Sequence, residues 1–316
     1  MPNLRKILVA FDFSENSRQA LGTAIQLSRR YGSELLVMTV IERSPDDAVL
    51  KLMDIPKDVE SQLRKKIDEE IHSAIPESDR AKIRFEARVH QGKASLEIVL
   101  EVDKEKPDLV VMGTKGRTGL KHVFLGSVAE QVVRRASAPV WVCRGTESTL
   151  PKRILVPVDF SDYSRQAMDL GIQWAKSLEA EVFVLNVVDS RDLYFLDPLG
   201  FGIRPSMGED LKKQAEQQLK EWTKEATFPV KAEARLGIPV SEIQDCIQKN
   251  SIDLVLISTH GRTGLKNMLI GSVAEQTVRY SSCSVMTICP PAFGLSSLKL
   301  FEGEKEFEDY MRCFRQ

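Results

Sequence analysis

The octapeptide Thr114-Lys115-Gly116-Arg117-Thr118-Gly119-Leu120-Lys121 returns as Thr259-His260-Gly261-Arg262-Thr263-Gly264-Leu265-Lys266, and Gly126-Ser127-Val128-Ala129-Glu130-Gln131 returns unchanged from Gly271 to Gln276. An earlier block does the same. Lys6-Ile7-Leu8-Val9-Ala10-Phe11-Asp12-Phe13-Ser14 reappears as Arg153-Ile154-Leu155-Val156-Pro157-Val158-Asp159-Phe160-Ser161, and both are followed by Ser-Arg-Gln-Ala, at Ser17 and at Ser164. The blocks keep nearly the same separation in both copies. Chance does not produce such agreement over so long a span, and an internal repeat fixes the architecture before any single element is assigned.

Each copy alternates strand and helix. Ile7 to Ala10 is a short apolar run rich in branched residues, which predicts a buried strand. Ser14 is placed to cap the helix that follows, where Ala20, Leu21, Ala24, Ile25 and Leu27 recur at helical spacing. A strand is predicted over Leu35 to Ile41, a charged helix over Asp58 to Ser73, a strand over Ile83 to Val89 and a helix over Ser95 to Lys104. A fourth strand over Asp108 to Met112, a last helix over Val128 to Arg135 and a strand over Val140 to Cys143 close the unit. The second copy repeats the strands at Ile154–Val158, Glu181–Val188, Val230–Arg235, Leu254–Ser258 and Val285–Ile288. Such alternation predicts an α/β fold with a parallel sheet covered on both faces and right-handed crossovers. The expected division is a first domain over residues 1–144, a linker over 145–151, a second domain over 152–290 and a tail over 291–316.

The chain's 316 residues suffice for two domains, and 42% hydrophobic with 28% charged residues argues against disorder. Lys and Arg total 44 against 45 Asp and Glu, with no basic block, so neither nucleic acid nor an acidic membrane is an expected partner. No apolar run approaches the roughly 20 residues of a membrane span, and the N-terminus carries no signal-peptide pattern. The five cysteines form no C-x-x-C pair and no zinc-like cluster with the four histidines, as expected of free thiols in the cytoplasm.

The chemistry is expected at the Gly-rich turn after the fourth strand. Glycine allows a left-handed backbone and close approach to a ligand, and the helix start beyond Gly126 offers N–H groups and a positive dipole end to a phosphate. Ser127 adds a hydroxyl. The turn is not a Walker A loop, which needs Gly-Lys-[Ser/Thr], and not a G-x-G-x-x-G dinucleotide turn. Asp12 and Asp159 end the first strands, where an open α/β sheet binds its ligands, and a carboxylate there can accept from a ribose hydroxyl or an adenine amino group. A purely local role, stabilising the start of the next helix, fits the same residues. Arg117, Lys121, Arg262 and Lys266 either face the phosphates or are solvated loop charges.

Asp-Phe-Ser after the first strand, together with G-x2-G-x9-G-Ser after the fourth, resembles the universal stress protein family, over both copies and nearly everything but the tail. The resemblance implies two tandem five-stranded parallel sheets of order 3-2-1-4-5, similar to the adenine nucleotide alpha hydrolase fold. It implies ATP, or ADP or AMP, accompanied by Mg²⁺, at the switch point between strands one and four. In the first copy it assigns Asp12, Val40 and Met112 to the adenosine pocket and Gly113, Gly116, Gly126, Ser127 and Val128 to the phosphate loop. In the second copy the matching positions are Pro157, Asp159, Val187, Gly261, Gly271, Ser272 and Val273. The last strands, Val140–Cys143 and Val285–Ile288, are expected to pair the two domains as an intramolecular pseudo-dimer, with further homodimerisation open.

Each copy departs once from that pattern. The first has Ala10 where the second has Pro157, a change expected to matter little. The second has Ser258 where the first loop glycine belongs. If that backbone needs a positive φ, a side chain there costs on the order of 1 kcal/mol, and it would also crowd the ligand, which favours the first copy as the working site and leaves the second open. The expected function is a nucleotide-binding regulator or sensor in stress response, with at most slow ATP hydrolysis. The alternatives are a true ATP-using hydrolase and an interaction module with vestigial sites; no acid/base pair, metal cluster or nucleophile–base couple supports the first. The insertion Asp192 to Asp210 is a surface loop or a lid, and the acidic end of the tail, Glu302 to Tyr310, packs on the surface.

Overall fold

The computed structural model describes residues 4–42, 57–114, 125–145, 149–191, 207–224, 226, 228–261 and 270–289. Gly116, the four loop cations, residues 192–206 of the insertion and the tail lie outside them. Contacts divide the chain between Thr149 and Leu150 into two compact units.

The first runs β1 (Lys6–Ala10), α1 (Glu15–Tyr31), β2 (Glu34–Ile41), α2 (Lys57–Ala74), α3 (Glu77–Arg80), β3 (Arg84–Gln91), α4 (Ala94–Glu105), β4 (Leu109–Gly113), α5 (Ser127–Arg135) and β5 (Val140–Cys143). Its strands lie in the order β3-β2-β1-β4-β5, every pair parallel. The second runs β6 (Arg153–Val158), α6 (Asp162–Leu178), β7 (Glu181–Asp189), α7 (Met207–Thr223), β8 (Val230–Gly237), α8 (Pro239–Asn250), β9 (Leu254–Ser258), α9 (Ser272–Tyr280) and β10 (Ser284–Ile288). Its order is β8-β7-β6-β9-β10, again parallel. In each sheet the chain steps outward from β1 or β6 on one side, then crosses to β4 or β9 on the other. The ends of those two neighbouring strands form the switch point.

The core follows from the apolar runs. Ile7, Leu8, Val9, Val110 and Val111 are fully buried, as expected of central parallel strands covered on both faces. α1 turns Ala20, Leu21, Ala24, Ile25 and Leu27 onto the sheet and stops at Gly32, whose left-handed φ of 71° suits a residue without a Cβ. The structure departs from the sequence expectation at β3 and after Pro76. β3 continues past Val89 through His90 and Gln91, because its ladder with β2 runs on to Val40↔His90 and Ile41↔Gln91 and main-chain pairing overrides local polarity. The short α3 after Pro76 was not expected; its Asp79 is buried and meets Arg29 of α1 at 3.1 Å. Among the described residues no helix is long and apolar enough to cross a membrane.

Candidate functional site

Asp12 stands two residues beyond the end of β1 and opens a tight turn into α1. Its Oδ1 accepts from Ser14 N–H at 3.1 Å and from the Ser14 hydroxyl at 2.6 Å. The Ser14 Oγ in turn accepts from Ser17 N–H at 3.2 Å, capping the helix, and the Ser17 hydroxyl donates back to the Ser14 carbonyl at 3.0 Å. Asp12 N–H closes the ring by donating to Ser17 Oγ at 3.3 Å. Copy two repeats it: Asp159 Oδ1 accepts from Ser161 N–H (3.1 Å) and Oγ–H (2.6 Å), and Asp159 N–H donates to Ser164 Oγ at 3.2 Å. The local reading of the aspartates is thus borne out. One oxygen serves the local turn, and the turn fixes where the rest of the carboxylate stands.

The turn is bought with strain. Phe13 and Phe160, each between the Asp and the capping Ser, have φ of 66° and 65°. A bulky residue in the left-handed region costs about 1–2 kcal/mol and persists only where its surroundings over-determine it. The strain recurs at one position in both copies, beside the carboxylate.

Strand register gathers the other predicted residues at the same edge. Ala10 pairs with Met38 on one side and Met112 on the other. Asp12, past the end of β1, and Val40, near the end of β2, thus each lie two residues beyond a matched pair. Val40 and Val187 are half-buried, whereas Met112 is 4% exposed and packs in the core. Two polar residues beside these valines had not been singled out. Thr39 Oγ1 donates to Phe11 O at 2.8 Å, and Asn186 Nδ2 donates to Val158 O at 2.9 Å, each satisfying the last strand carbonyl before the Asp. Their signal was a polar residue inside an apolar strand.

The phosphate-loop glycines serve different ends. Gly126 and Gly271 are extended residues that start α5 and α9, with no side-chain cap at either helix. Each donates its N–H to the residue that begins the loop, Thr114 O or Thr259 O, at 2.7 Å, so the loop base is pinched shut. Ser127 and Ser272 follow as exposed first helical residues, then the half-buried Val128 and Val273. Gly261 approaches the carboxylate itself: a Cβ there would fall 2.5 Å from Asp159 Oδ2.

Gly113 corrects an expectation. Its backbone is not left-handed, and what it approaches is the start of α1, where an added Cβ would lie 2.8 Å from the Asn16 carbonyl carbon. Ser258, its counterpart, is not left-handed either, and its Oγ accepts from His260 N–H at 3.3 Å. The backbone reason for favouring the first copy is therefore removed. Pro157 has a visible effect on the sheet. The β1–β4 ladder reaches Ala10↔Met112, but the β6–β9 ladder ends at Leu155↔Val255, and a proline at 157 has no N–H to extend it.

The sequence profile described as "Universal stress protein family" matches residues 3–144 and 151–288. The chain belongs to the universal stress protein family and carries its domain twice. A universal stress protein E homolog of Haemophilus influenzae is 26% identical over 315 residues, covering 90% of this chain and 97% of its own. A universal stress protein of Methanocaldococcus jannaschii is 34% identical over 145 residues, 45% of this chain and 84% of its own. The crystal structure of a universal stress protein from Archaeoglobus fulgidus superposes with a TM-score of 0.63 at 20% identity, covering 90% of this chain and 98% of that one, a likeness of fold.

Proposed function

We propose that each domain binds an adenine nucleotide across the ends of its first and fourth strands, and that the chain acts as a nucleotide-responsive regulator in stress response. The observation that carries this reading is the strained Asp-Phe-Ser turn, built identically in both domains and set at the switch point. The carboxylates of Asp12 and Asp159 accept from a ribose hydroxyl or adenine amino group. Val40 and Val187 flank the base, with Met112 and Pro157 behind. The starts of α5 and α9, with Ser127, Val128, Ser272 and Val273, face the phosphates together with the loop glycines Gly113, Gly126, Gly261 and Gly271, and Gly116, which lies outside the described residues, belongs to the same loop by sequence. A helix start that no side chain caps is a fitting partner for a phosphate, and Mg²⁺ would share the phosphate charge. These residues bind and orient, and hydrolysis is correspondingly slow.

The test is nucleotide release and binding by the full chain. Denatured native protein should release adenine nucleotide on ion-pair chromatography, and calorimetry with ATP and Mg²⁺ should give two sites. D12A and D159A should each remove one. Neither released nucleotide nor any heat of binding would leave the interaction-module reading in its place. Turnover above about one per second would instead mark an ATP-using enzyme.

A further inference from the structure

We infer that Trp222 of α7 is a positioning residue for the second domain's nucleotide site, holding the Asp159 turn from outside; this rests on the reading of that site given above. The Phe160 ring, at the strained residue itself, stands edge-on to the Trp222 indole with centroids 5.1 Å apart and planes at 86°. The Arg165 guanidinium lies over the same indole, 5.1 Å from its centre. Arg165 follows Ser164, whose hydroxyl accepts the Asp159 N–H. Trp222 therefore touches the turn twice after Asp159, once at its strained link, Phe160, and once at Arg165 of its helical anchor. The ring edge and the cation each complement an aromatic face, so both contacts are attractive.

The first domain makes the same two contacts without a second element. Phe13 meets Phe11 edge-on at 4.7 Å, and Arg18 lies 5.8 Å from the Phe11 centre, so the clamp ring belongs to the segment that ends β1. Val158 stands at the position of Phe11 in copy two, and no ring is available there. The second domain recruits its ring from α7, the helix that follows β7 as α2 follows β2 in the first domain. As a result the second carboxylate is coupled to a helix that packs on β7 and β8, whereas the first is held by its own strand. Displacing α7 loosens Asp159, and a nucleotide at Asp159 is felt at Trp222.

Full-length chains carrying D12A isolate the second site. In that background W222A is expected to raise the dissociation constant for ADP with Mg²⁺ about five- to tenfold, the scale of an edge-on ring contact, while W222F restores it to within about twofold. R165Q is expected to weaken the same site by about twofold. Trp141 and Trp174 are 2% and 3% exposed, so the fluorescence change on ADP binding should come from half-buried Trp222 and vanish in W222F. In chains with Asp12 intact, W222A should leave first-domain affinity unchanged. W222L, which keeps volume but loses the ring, takes the place of W222A if that variant does not fold. Unchanged second-site affinity in W222A or W222L, with D159A still abolishing it, overturns the inference and leaves the site standing. Absence of ADP binding in the unmodified chain overturns both.

Discussion

A Cβ built on Gly113 lands on the backbone of Asn16, so G113A should cost about 1–3 kcal/mol by crowding the start of α1. The reciprocal S258G, where a side chain is already housed, should change stability by less than about 1 kcal/mol. Chemical denaturation of the two variants checks the pair; equal costs would show that Gly113 is not a packing glycine. This glycine looked from sequence like a conformational requirement. A glycine demanded by left-handed backbone and one demanded by a close neighbour are identical in sequence, and only the distance to Asn16 tells them apart. Ser14 was legible, because a serine just before an apolar helical stripe has one common use. The left-handed Phe13 and Phe160 were not, since nothing local in a phenylalanine favours that region and the surrounding hydrogen bonds impose it.

At the scale of elements, α4 is fastened to β3 and β1 by charge rather than by apolar contact alone. Arg88 of β3 reaches Glu101 and Glu105 of α4 and Glu86 on its own strand, and Lys6 of β1 meets Glu105 at 2.7 Å. The hydrogen bonds from Lys6 and then Arg88 hold the Glu105 carboxyl at about 2, below its ordinary 4.5. A carboxyl depressed by folding adds stability that is full above its unfolded value and is lost as pH falls through the folded one. The unmodified chain should therefore lose stability between about pH 5 and pH 2 more steeply than E105Q, which lacks the contribution throughout and is weaker by about 1–3 kcal/mol at pH 7. Denaturant titrations across that range decide it, and parallel slopes would remove Glu105 from the account. The second domain fastens α8 to β8 through Arg235, Glu242 and Asp245 instead. Sequence showed both helices by their apolar spacing, but not which charges meet, because partners on β3 and α4 are set by how the helix lies on the sheet.

For the whole molecule, the duplication gives two copies of the candidate site per chain, and the backbone at Ser258 does not count against the second. The boundary proposed at residues 145–151 predicts that 1–144 and 152–290, expressed apart, each unfold in a single cooperative transition by circular dichroism. Failure of either fragment to fold would mean that the repeat does not mark an independent folding unit. By itself the sequence determined that this chain is one α/β unit written twice, and where each aspartate and glycine loop falls along it. Apolar runs, helical spacing and repeated motifs are properties of neighbours in the chain, so they can be read without the fold. Tertiary structure decided what those residues lean on: that Gly113 makes room for Asn16, that Pro157 cuts a ladder short, and that a tryptophan distant in sequence clamps one aspartate turn while the other is clamped by its own strand. Contacts of that kind join residues far apart in sequence, and they exist only once helices and strands have packed.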